Sequence, residues 1–380
     1  MLMRYFLPAV LALLAVPLVG FGLWLATLRA APATYAPPAI PQAETDAMLA
    51  ALKPPKRARP LIAVVAINDA TETTDYLMPV GILRRADIAD VTTLSSGAGS
   101  VKLYPALTVE ADATMGAFDA LHPKGADYVI VPAMSRDDDP VVTAWLRKQA
   151  EGGAVIIAIC AGAKVVASAG LLDGGRATTH WYYLGELMKR HPTISYIADR
   201  RMVLDRGIAT TTGVTASMPM MLTLIEAIAG RGKAEAVART IGQGGWSAGH
   251  DSGAFRLTRP FVTTVLGNRV AFWNRDRFGV APEPGMDEVA LALVVDAWSR
   301  TYRSNVEIFA ASPAAVTTRN GVRVLPDKVV ASWAGERLIP DKPPAEALDS
   351  ALQEIAARHG QDTADVVAMQ LEYPQQGKRP

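Results

Sequence analysis

Short apolar runs alternate with helical segments along the first half of the chain, and no other feature limits the fold as strongly. The runs Leu61–Ile67, Tyr128–Val131 and Ala154–Ile159 are apolar throughout and rich in β-branched residues, as is typical of strands buried in a parallel sheet. Segments Tyr76–Arg85 and Pro140–Glu151 between them have helical character. We therefore predict a flavodoxin-like, doubly wound parallel α/β sheet, with its site at the carboxyl ends of the strands.

The predicted sheet occupies residues 60–231, because Gly230 ends the last helical segment of this unit, Ser217–Ala229. Residues 232–380 then form a C-terminal α/β extension. Within this extension, Phe261–Phe272 and Val366–Leu371 have the composition of strands.

The extension contains a pattern that resembles part of the first unit. Residues 306–327 parallel residues 90–112, since each segment reads as a strand, a turn of small residues and a short strand pair that ends in an acid. We interpret the extension as a degenerate partial repeat, a truncated second copy without a nucleophile. An unrelated α/β appendage stays open, because βα patterns resemble each other by default.

The N-terminus carries a long uncharged segment. Tyr5–Leu28 runs 24 residues without a charge, and a helix needs about 20 apolar residues to cross a bilayer. We predict a retained single-pass transmembrane anchor over residues 1–29, with the membrane as a partner and a cleaved signal peptide as the alternative. Residues 30–59 form an Ala/Pro-rich linker, which favours an extracytoplasmic position for the domain.

Composition argues against several classes of function. With 38 basic and 37 acidic side chains the net charge is +1, so we expect no nucleic-acid partner. One Cys and five scattered His form no zinc-ligand pattern, and we predict no metal and no cofactor. The acidic run Asp137–Asp139 is interpreted as a turn and helix cap. His250 and its neighbours are interpreted as a loop rather than a hydrolase triad.

Cys160 is the only cysteine of the chain and follows a predicted buried strand. The small residues Ala161, Gly162 and Ala163 come next, a pattern that favours a sharp strand-to-helix elbow with its nucleophile projecting above the sheet. A thiol at a helix N-terminus is expected to have a lowered pKa. A lone Cys after an apolar strand can also be a small buried core residue.

Four segments resemble a known superfamily. They are Asp75–Val80 (DYLMPV), Ala158–Ala163 (AICAGA), Ala169–Trp181 (AGLLDGGRATTHW), and Asp199–Arg201 together with Thr211–Ser217 (TTGVTAS). Over residues 60–231 the sequence resembles the class I glutamine amidotransferase-like superfamily, of the type of PfpI proteases and the parkinsonism-associated deglycase. The last two segments look most like the ligand-binding half of AraC-type regulators and like isonitrile hydratases.

The resemblance implies a set of site residues. Cys160 is expected to be the nucleophile, with Asp75 beside its sulfur and His180 near the thiol. The backbone N–H groups of Ala161 and Ala133 are expected to face a developing oxyanion. From the residues alone, Asp75 could instead cap its helix, and His180 could equally be a structural histidine.

The sequence also departs from the pattern of that superfamily. Pro132-Ala133-Met134 stands where relatives usually have Pro-Gly-Gly, and Ala161 replaces the Thr of hydratases or the His of proteases. Residues 232–380 contain no paired recognition helices of the kind that complete AraC-type regulators.

Two hypotheses follow for the function. The first is a membrane-anchored enzyme, hydrolase-like or hydratase-like, that adds Cys160 to a small electrophilic metabolite. The second is a non-catalytic sensor of a small ligand. Because relatives commonly dimerise, a homodimer stays open as well.

Overall fold

The computed structural model describes residues 19–30 and 38–373. The strands are β1 (Leu61–Ala66), β2 (Asp69–Glu72), β3 (Asp90–Ser95), β4 (Val101–Tyr104), β5 (Thr108–Glu110), β6 (Ala113–Thr114), β7 (Tyr128–Val131), β8 (Val155–Ala158), β9 (Arg176–Ala177), β10 (Ser195–Tyr196), β11 (Met202–Asp205), β12 (Ile208–Thr211), β13 (Asp276–Val280), β14 (Ser304–Ala310), β15 (Val316–Thr317), β16 (Arg323–Leu325) and β17 (Lys328–Val329). The α-helices from residue 38 onward are α1 (Gln42–Ala51), α2 (Thr73–Ala86), α3 (Met115–Leu121), α4 (Pro140–Glu151), α5 (Gly162–Ser168), α6 (Leu184–Arg190), α7 (Ser217–Ala229), α8 (Arg231–Thr240), α9 (Arg259–Val270), α10 (Glu288–Ser299), α11 (Pro344–His359) and α12 (Gln361–Gln370).

A seven-stranded sheet forms the centre of the molecule, in the order β11-β12-β8-β7-β1-β3-β6. All neighbouring strands pair in parallel except β11 and β12. Every residue of β1, β7 and β8 is buried, as expected for strands covered by helices on both faces. The predicted α/β fold is therefore confirmed. Strand order reverses between β1 and β7, so the loops that follow these strands flank a topological switch point.

Two hydrophobic cores lie on opposite faces of this sheet. Along β1, Ile62 and Val64 belong to one core, whereas Ala63 and Val65 belong to the other. The larger core contains side chains of α2 and α7 from the first unit and of α10 and α11 from the extension. The extension therefore shares a core with the central sheet.

The extension forms its own small sheet and also joins a second one. Strands β13, β14 and β17 form a parallel sheet, while β15 and β16 continue a five-stranded sheet in the order β15-β16-β5-β4-β2. The two segments predicted as strands are helices, namely α9 and α12, and these predictions are wrong. The Thr258 side chain accepts a hydrogen bond from the Phe261 N–H, and Pro260 lies in the first turn of α9. These helix-start signals outweigh the β-branched composition.

The predicted N-terminal membrane helix requires correction. Within residues 19–30 and 38–373, no helix has the length and apolarity needed to cross a bilayer. The helical residues 19–27 extend for about 14 Å, less than half of a hydrocarbon core of about 30 Å. The rest of the proposed segment, residues 5–18, lies outside the described residues. The anchor, the single-pass location and the extracytoplasmic placement that depended on it are therefore withdrawn.

Candidate functional site

Cys160 lies on a sharp turn between β8 and α5. Its φ of 57° is left-handed, a conformation that costs a residue other than glycine about 1–3 kcal/mol. The Cys160 N–H donates to Thr211 Oγ1 at 3.1 Å, and Thr179 Oγ1 donates to the Cys160 carbonyl at 3.1 Å. A Cβ on Gly162 would lie 2.0 Å from the Val131 carbonyl oxygen, so the turn needs a glycine there. The predicted elbow is present, held by contacts with β7, β12 and the segment after β9.

Asp75 lies in the first turn of α2, where β1 and β2 bring it against the elbow. Its Oδ2 accepts a hydrogen bond from the Ala133 N–H at 3.2 Å, while Oδ1 is buried without a hydrogen-bond partner. The helix cap is Glu72, whose carboxylate accepts the Asp75 N–H at 2.6 Å. The Asp75 side chain is therefore not occupied as a cap, and the Ala133 N–H is engaged by Asp75.

Burial raises the pKa of Asp75 to about 7. The Ala133 N–H, the Arg300 guanidinium and the contact with the Cys160 thiol each lower this pKa, whereas Asp296 raises it. Because desolvation disfavours the charged form, the net effect leaves the carboxyl close to half-ionised at neutral pH.

Cys160 is 4% exposed, and burial raises the pKa of its thiol well above the ordinary value. The carboxyls of Asp75, Glu72 and Glu372 raise it further, whereas the Ala161 N–H lowers it. The expectation of a lowered thiol pKa is wrong. Desolvation and three nearby acids outweigh the dipole of a helix that has only seven residues.

His180 is 6% exposed and both of its ring nitrogens have backbone partners. Nε2 lies 2.9 Å from the Gln370 carbonyl oxygen, and Nδ1 accepts the Tyr182 N–H at 3.1 Å. This pattern makes Nε2 the protonated nitrogen, donating to Gln370. Burial lowers the pKa of His180. Its side chain therefore attaches the end of α12 to the elbow region and keeps no ring nitrogen available for the thiol.

A charged cluster that sequence reasoning missed lies next to Asp75. Arg300, at the end of α10, places Nη2 2.5 Å from Glu72 Oε1 and Nε 2.6 Å from Asp296 Oδ1. Thr74 Oγ1 donates to Glu72 Oε2 at 2.9 Å. Burial raises the pKa of both Glu72 and Asp296, and Arg300 opposes this effect at each of them. Arg300 lies far from the elbow in the sequence, and no local pattern marks it.

Glu372 is the second residue that sequence reasoning missed. Its carboxylate accepts the N–H groups of Trp181, at 2.8 Å, and of Gly213. Trp181 Nε1 also donates to the Met369 carbonyl at 2.8 Å. The end of α12 and the residues after it therefore border one side of the site. They also bring the Glu372 carboxylate close enough to raise the pKa of the thiol.

The secondary candidates take structural roles. The Asp139 carboxylate accepts the N–H groups of Val141 and Val142, which confirms a helix cap. Asp137 is salt-bridged to Lys164 and Arg190. His250 stacks on Phe255 in a loop, as predicted. Within the part of the chain that the structure describes, no group of three His, Cys, Asp or Glu side chains could hold a metal ion.

Comparison with known proteins identifies a family model, relatives and solved structures that are similar to the part of the chain that carries this site. A family model described as DJ-1/PfpI matches residues 62–227. The chain is 34% identical over 143 residues to the HTH-type transcriptional regulator CdhR of Pseudomonas aeruginosa, covering 37% of this chain and 41% of the regulator. It is 36% identical over 101 residues to an isonitrile hydratase of Pseudomonas putida, covering 26% of this chain and 42% of the hydratase. The crystal structure of Drosophila melanogaster DJ-1beta superimposes with a TM-score of 0.44 at 23% identity, covering 49% of this chain and all of that one.

The chain thus spans less than half of the length of the regulator and of the hydratase that it matches. Several relatives are named HTH-type transcriptional regulators. The expectation that nucleic acid is not a partner gains no support from them, since it rested on charge composition alone.

Proposed function

Because residues 62–227 make this chain a member of the DJ-1/PfpI family, we propose that it is an enzyme whose Cys160 adds to an electrophilic carbon of a small molecule. One observation carries the proposal. A buried carboxyl, Asp75, lies beside the thiol with its pKa raised to about 7. A general base is most effective when its pKa is close to the working pH.

In this mechanism the resting thiol is neutral and Asp75 is its base. The sulfur forms a bond to the electrophilic carbon of a carbonyl, amide or nitrile-like group, and the thiol proton passes to Asp75. The π electrons move to the heteroatom, which then takes the proton from Asp75. The product is a neutral covalent adduct in which every atom of the reactants is retained.

The acid-rich surroundings of Cys160 fit a base-assisted thiol better than a preformed thiolate. Asp75, Glu72 and Glu372 disfavour a standing negative charge on the sulfur. A proton that moves from sulfur to Asp75 during attack leaves the net charge of the buried site unchanged, so no isolated charge has to be created.

The test uses the full chain and a panel of small aldehydes, amides and nitriles. Intact-protein mass spectrometry should detect a covalent adduct, or an assay should detect consumption, with the wild type. Both should be lost in Cys160→Ala and kept in the control Asp138→Asn, which removes an exposed carboxyl outside the site. Neither adduct nor consumption with any compound of the panel would overturn the proposal.

A small-ligand sensor is the second candidate, favoured by the low exposure of the thiol. Cys160 is only 4% exposed, and the Glu372 carboxylate lies close enough to raise the pKa of its thiol. A ligand-dependent rise in melting temperature that is equal in wild type and Cys160→Ala would support sensing. A rise that disappears with the thiol would support covalent chemistry instead.

A further inference from the structure

The elements between residues 276 and 329 of the extension repeat those of the first unit at a constant spacing of 215 residues. The strand Thr108–Glu110 recurs as Arg323–Leu325, and Ala113–Thr114 recurs as Lys328–Val329. The first strand of each set begins at Leu61 and at Asp276. A spacing that holds over several elements without insertion or deletion is what a duplicated segment would have, and unrelated βα units have no reason to keep it.

Individual side-chain contacts repeat at the same spacing. Asp112 accepts the Thr93 N–H at 2.7 Å, and Asp327 accepts the Ile308 N–H at 2.8 Å. Asp112 follows the strand pair β4–β5 and bonds to β3, and Asp327 follows the strand pair β15–β16 and bonds to β14. We call residues 276–329 the half copy.

The two copies contact each other as two subunits related by a twofold axis would. Strands β5 and β16 pair antiparallel with Val109 opposite Val324, which are equivalent residues. Arg85 Nη2 lies 2.5 Å from Asp287, the cap of α10, and Arg300 Nη2 lies 2.5 Å from Glu72, the cap of α2. Such reciprocal contacts, in which residue i meets j and the equivalent of j meets the equivalent of i, define an isologous interface.

The half copy lacks the chemistry of the first copy. Ala290 stands at the position equivalent to Asp75, and Cys160 is the only cysteine of the chain. The two interfacial arginines therefore differ in what they can influence. Arg85 lies ten residues after Asp75 on α2, about 15 Å along the helix axis. Arg300 contacts the network that holds Asp75.

We propose that the half copy acts as a built-in second subunit, and that its Arg300 is a positioning residue for the Cys160 site. Arg300 binds the Glu72 carboxylate, and the other oxygen of that carboxylate accepts the Asp75 N–H at 2.6 Å. Arg300 thereby fixes the first turn of α2, which carries Asp75 against the elbow. This inference rests on the proposed function only in treating Cys160 and Asp75 as the reacting pair.

The charges that face Cys160 and Asp75 determine in which direction the thiol pKa should change when Arg300 is replaced. Glu72 is at the end of β2, Asp296 is on α10, Arg300 is the C-cap of α10, and Glu372 follows α12. Arg300 lowers the pKa of Asp75, while Glu72 and Glu372 raise that of the thiol. Loss of the guanidinium leaves carboxyls alone around the sulfur, so thiolate formation should move to higher pH.

The experiment measures the rate of Cys160 alkylation by iodoacetamide in the full chain from about pH 8 to about pH 12, because burial raises the pKa of this thiol well above its ordinary value of about 8.5. In Arg300→Met the midpoint should rise by about one pH unit, which is the lower end of the effect of a lost opposite charge. The control is Arg85→Met, the equivalent arginine of the first copy, and it should keep the wild-type midpoint. Arg300→Lys keeps the positive charge, so its midpoint should stay close to that of the wild type.

Equal midpoints in the Arg300→Met and Arg85→Met proteins would overturn the proposal. If Arg300→Met does not fold, Arg300→Gln keeps a donor to Glu72 without the charge and is held to the same criterion. Alkylation needs no turnover, so the outcome is separable from that of the proposed function. A shifted midpoint without any substrate supports the inference alone, and turnover without a shift contradicts the inference alone.

Discussion

Burial acts on Asp75 and Cys160 in the same direction, with different consequences for each. It raises the pKa of the carboxyl to about 7, so this group can exchange a proton near neutrality. It also raises the pKa of the thiol, so the sulfur stays protonated at the same pH. The Cys160 thiol is therefore the proton donor and the Asp75 carboxylate the proton acceptor, as for a nucleophile and its base in other enzymes.

The first prediction concerns Asp75→Asn. Loss of the base should reduce the rate of adduct formation about 10²-fold to 10⁴-fold, the usual contribution of general base catalysis. The pKa of the Cys160 thiol should fall at the same time, because Asp75 raises it. Adduct formation by mass spectrometry and the pH profile of alkylation measure the two effects. A variant that forms adducts at the wild-type rate would exclude Asp75 as the base.

The second prediction concerns stability against pH. The pKa of Asp75 is about 7 in the folded protein against an ordinary value of 3.8, so the folded state binds more protons than the unfolded state between these values. Stability contributed by this group is then lost as the pH rises through that window. Asp75→Asn should therefore gain stability over the wild type on going from about pH 5 to about pH 8, on the order of 2 kcal/mol. Urea unfolding measures it, with Asp138→Asn as the unaffected control.

At the scale of elements, the site depends on a close approach between two distant segments. A Cβ on Gly213, just after β12, would lie 2.7 Å from the Glu372 Cβ. The Gly213 N–H in turn donates to the Glu372 carboxylate. The absence of a side chain at residue 213 thus lets Glu372 approach the segment after β12, and the bond from His180 to Gln370 holds the end of α12 nearby.

The third prediction is that Gly213→Ala pushes Glu372 away from the elbow. Crowding of this kind costs about 1–3 kcal/mol of unfolding free energy. Alkylation of Cys160 at a fixed pH should become faster, because a carboxylate that raises the pKa of the thiol moves away. Gly185→Ala in α6 is the matched control, since a Cβ there meets nothing within 4 Å. Unchanged alkylation in Gly213→Ala would mean that Glu372 does not control access or charge at the sulfur.

At the scale of the whole molecule, the extension and the central sheet are not separable units. One core runs from Met48 near the start of the described chain to Leu371 near its end. Helix α2 is buried along most of its length, and Glu288 and Val289 of α10 lie directly against Gly81. The edge of β5 is likewise covered by β16.

The fourth prediction concerns a chain cut after residue 231. Removing the extension exposes the apolar face of α2 and the unpaired edge of β5, so the fragment should dimerise or aggregate, whereas the full chain should run as a monomer. Size-exclusion chromatography with light scattering distinguishes these states. A monomeric fragment with native near-ultraviolet circular dichroism would contradict a built-in partner.

Sequence reasoning succeeded where the information is local. Apolar runs such as Leu61–Ile67 and the small residues after Cys160 need only neighbouring positions to specify a buried strand and an elbow. Sequence reasoning failed where local signals conflict, or where the prediction rested on the composition of a segment alone. The cap at Thr258 overrides the strand composition of α9, and the described helical residues 19–27 are too short for the predicted anchor.

The sequence by itself determined the alternation of strands and helices, the elbow at Cys160 and the acid that follows the first strand. Only the tertiary structure decided the charge state of that site. Arg300 and Glu372 lie more than a hundred residues after Cys160 in the chain, yet they act on its electrostatics through the fold. A pKa depends on burial and on charges in three dimensions, and neither quantity is written in the order of neighbouring residues.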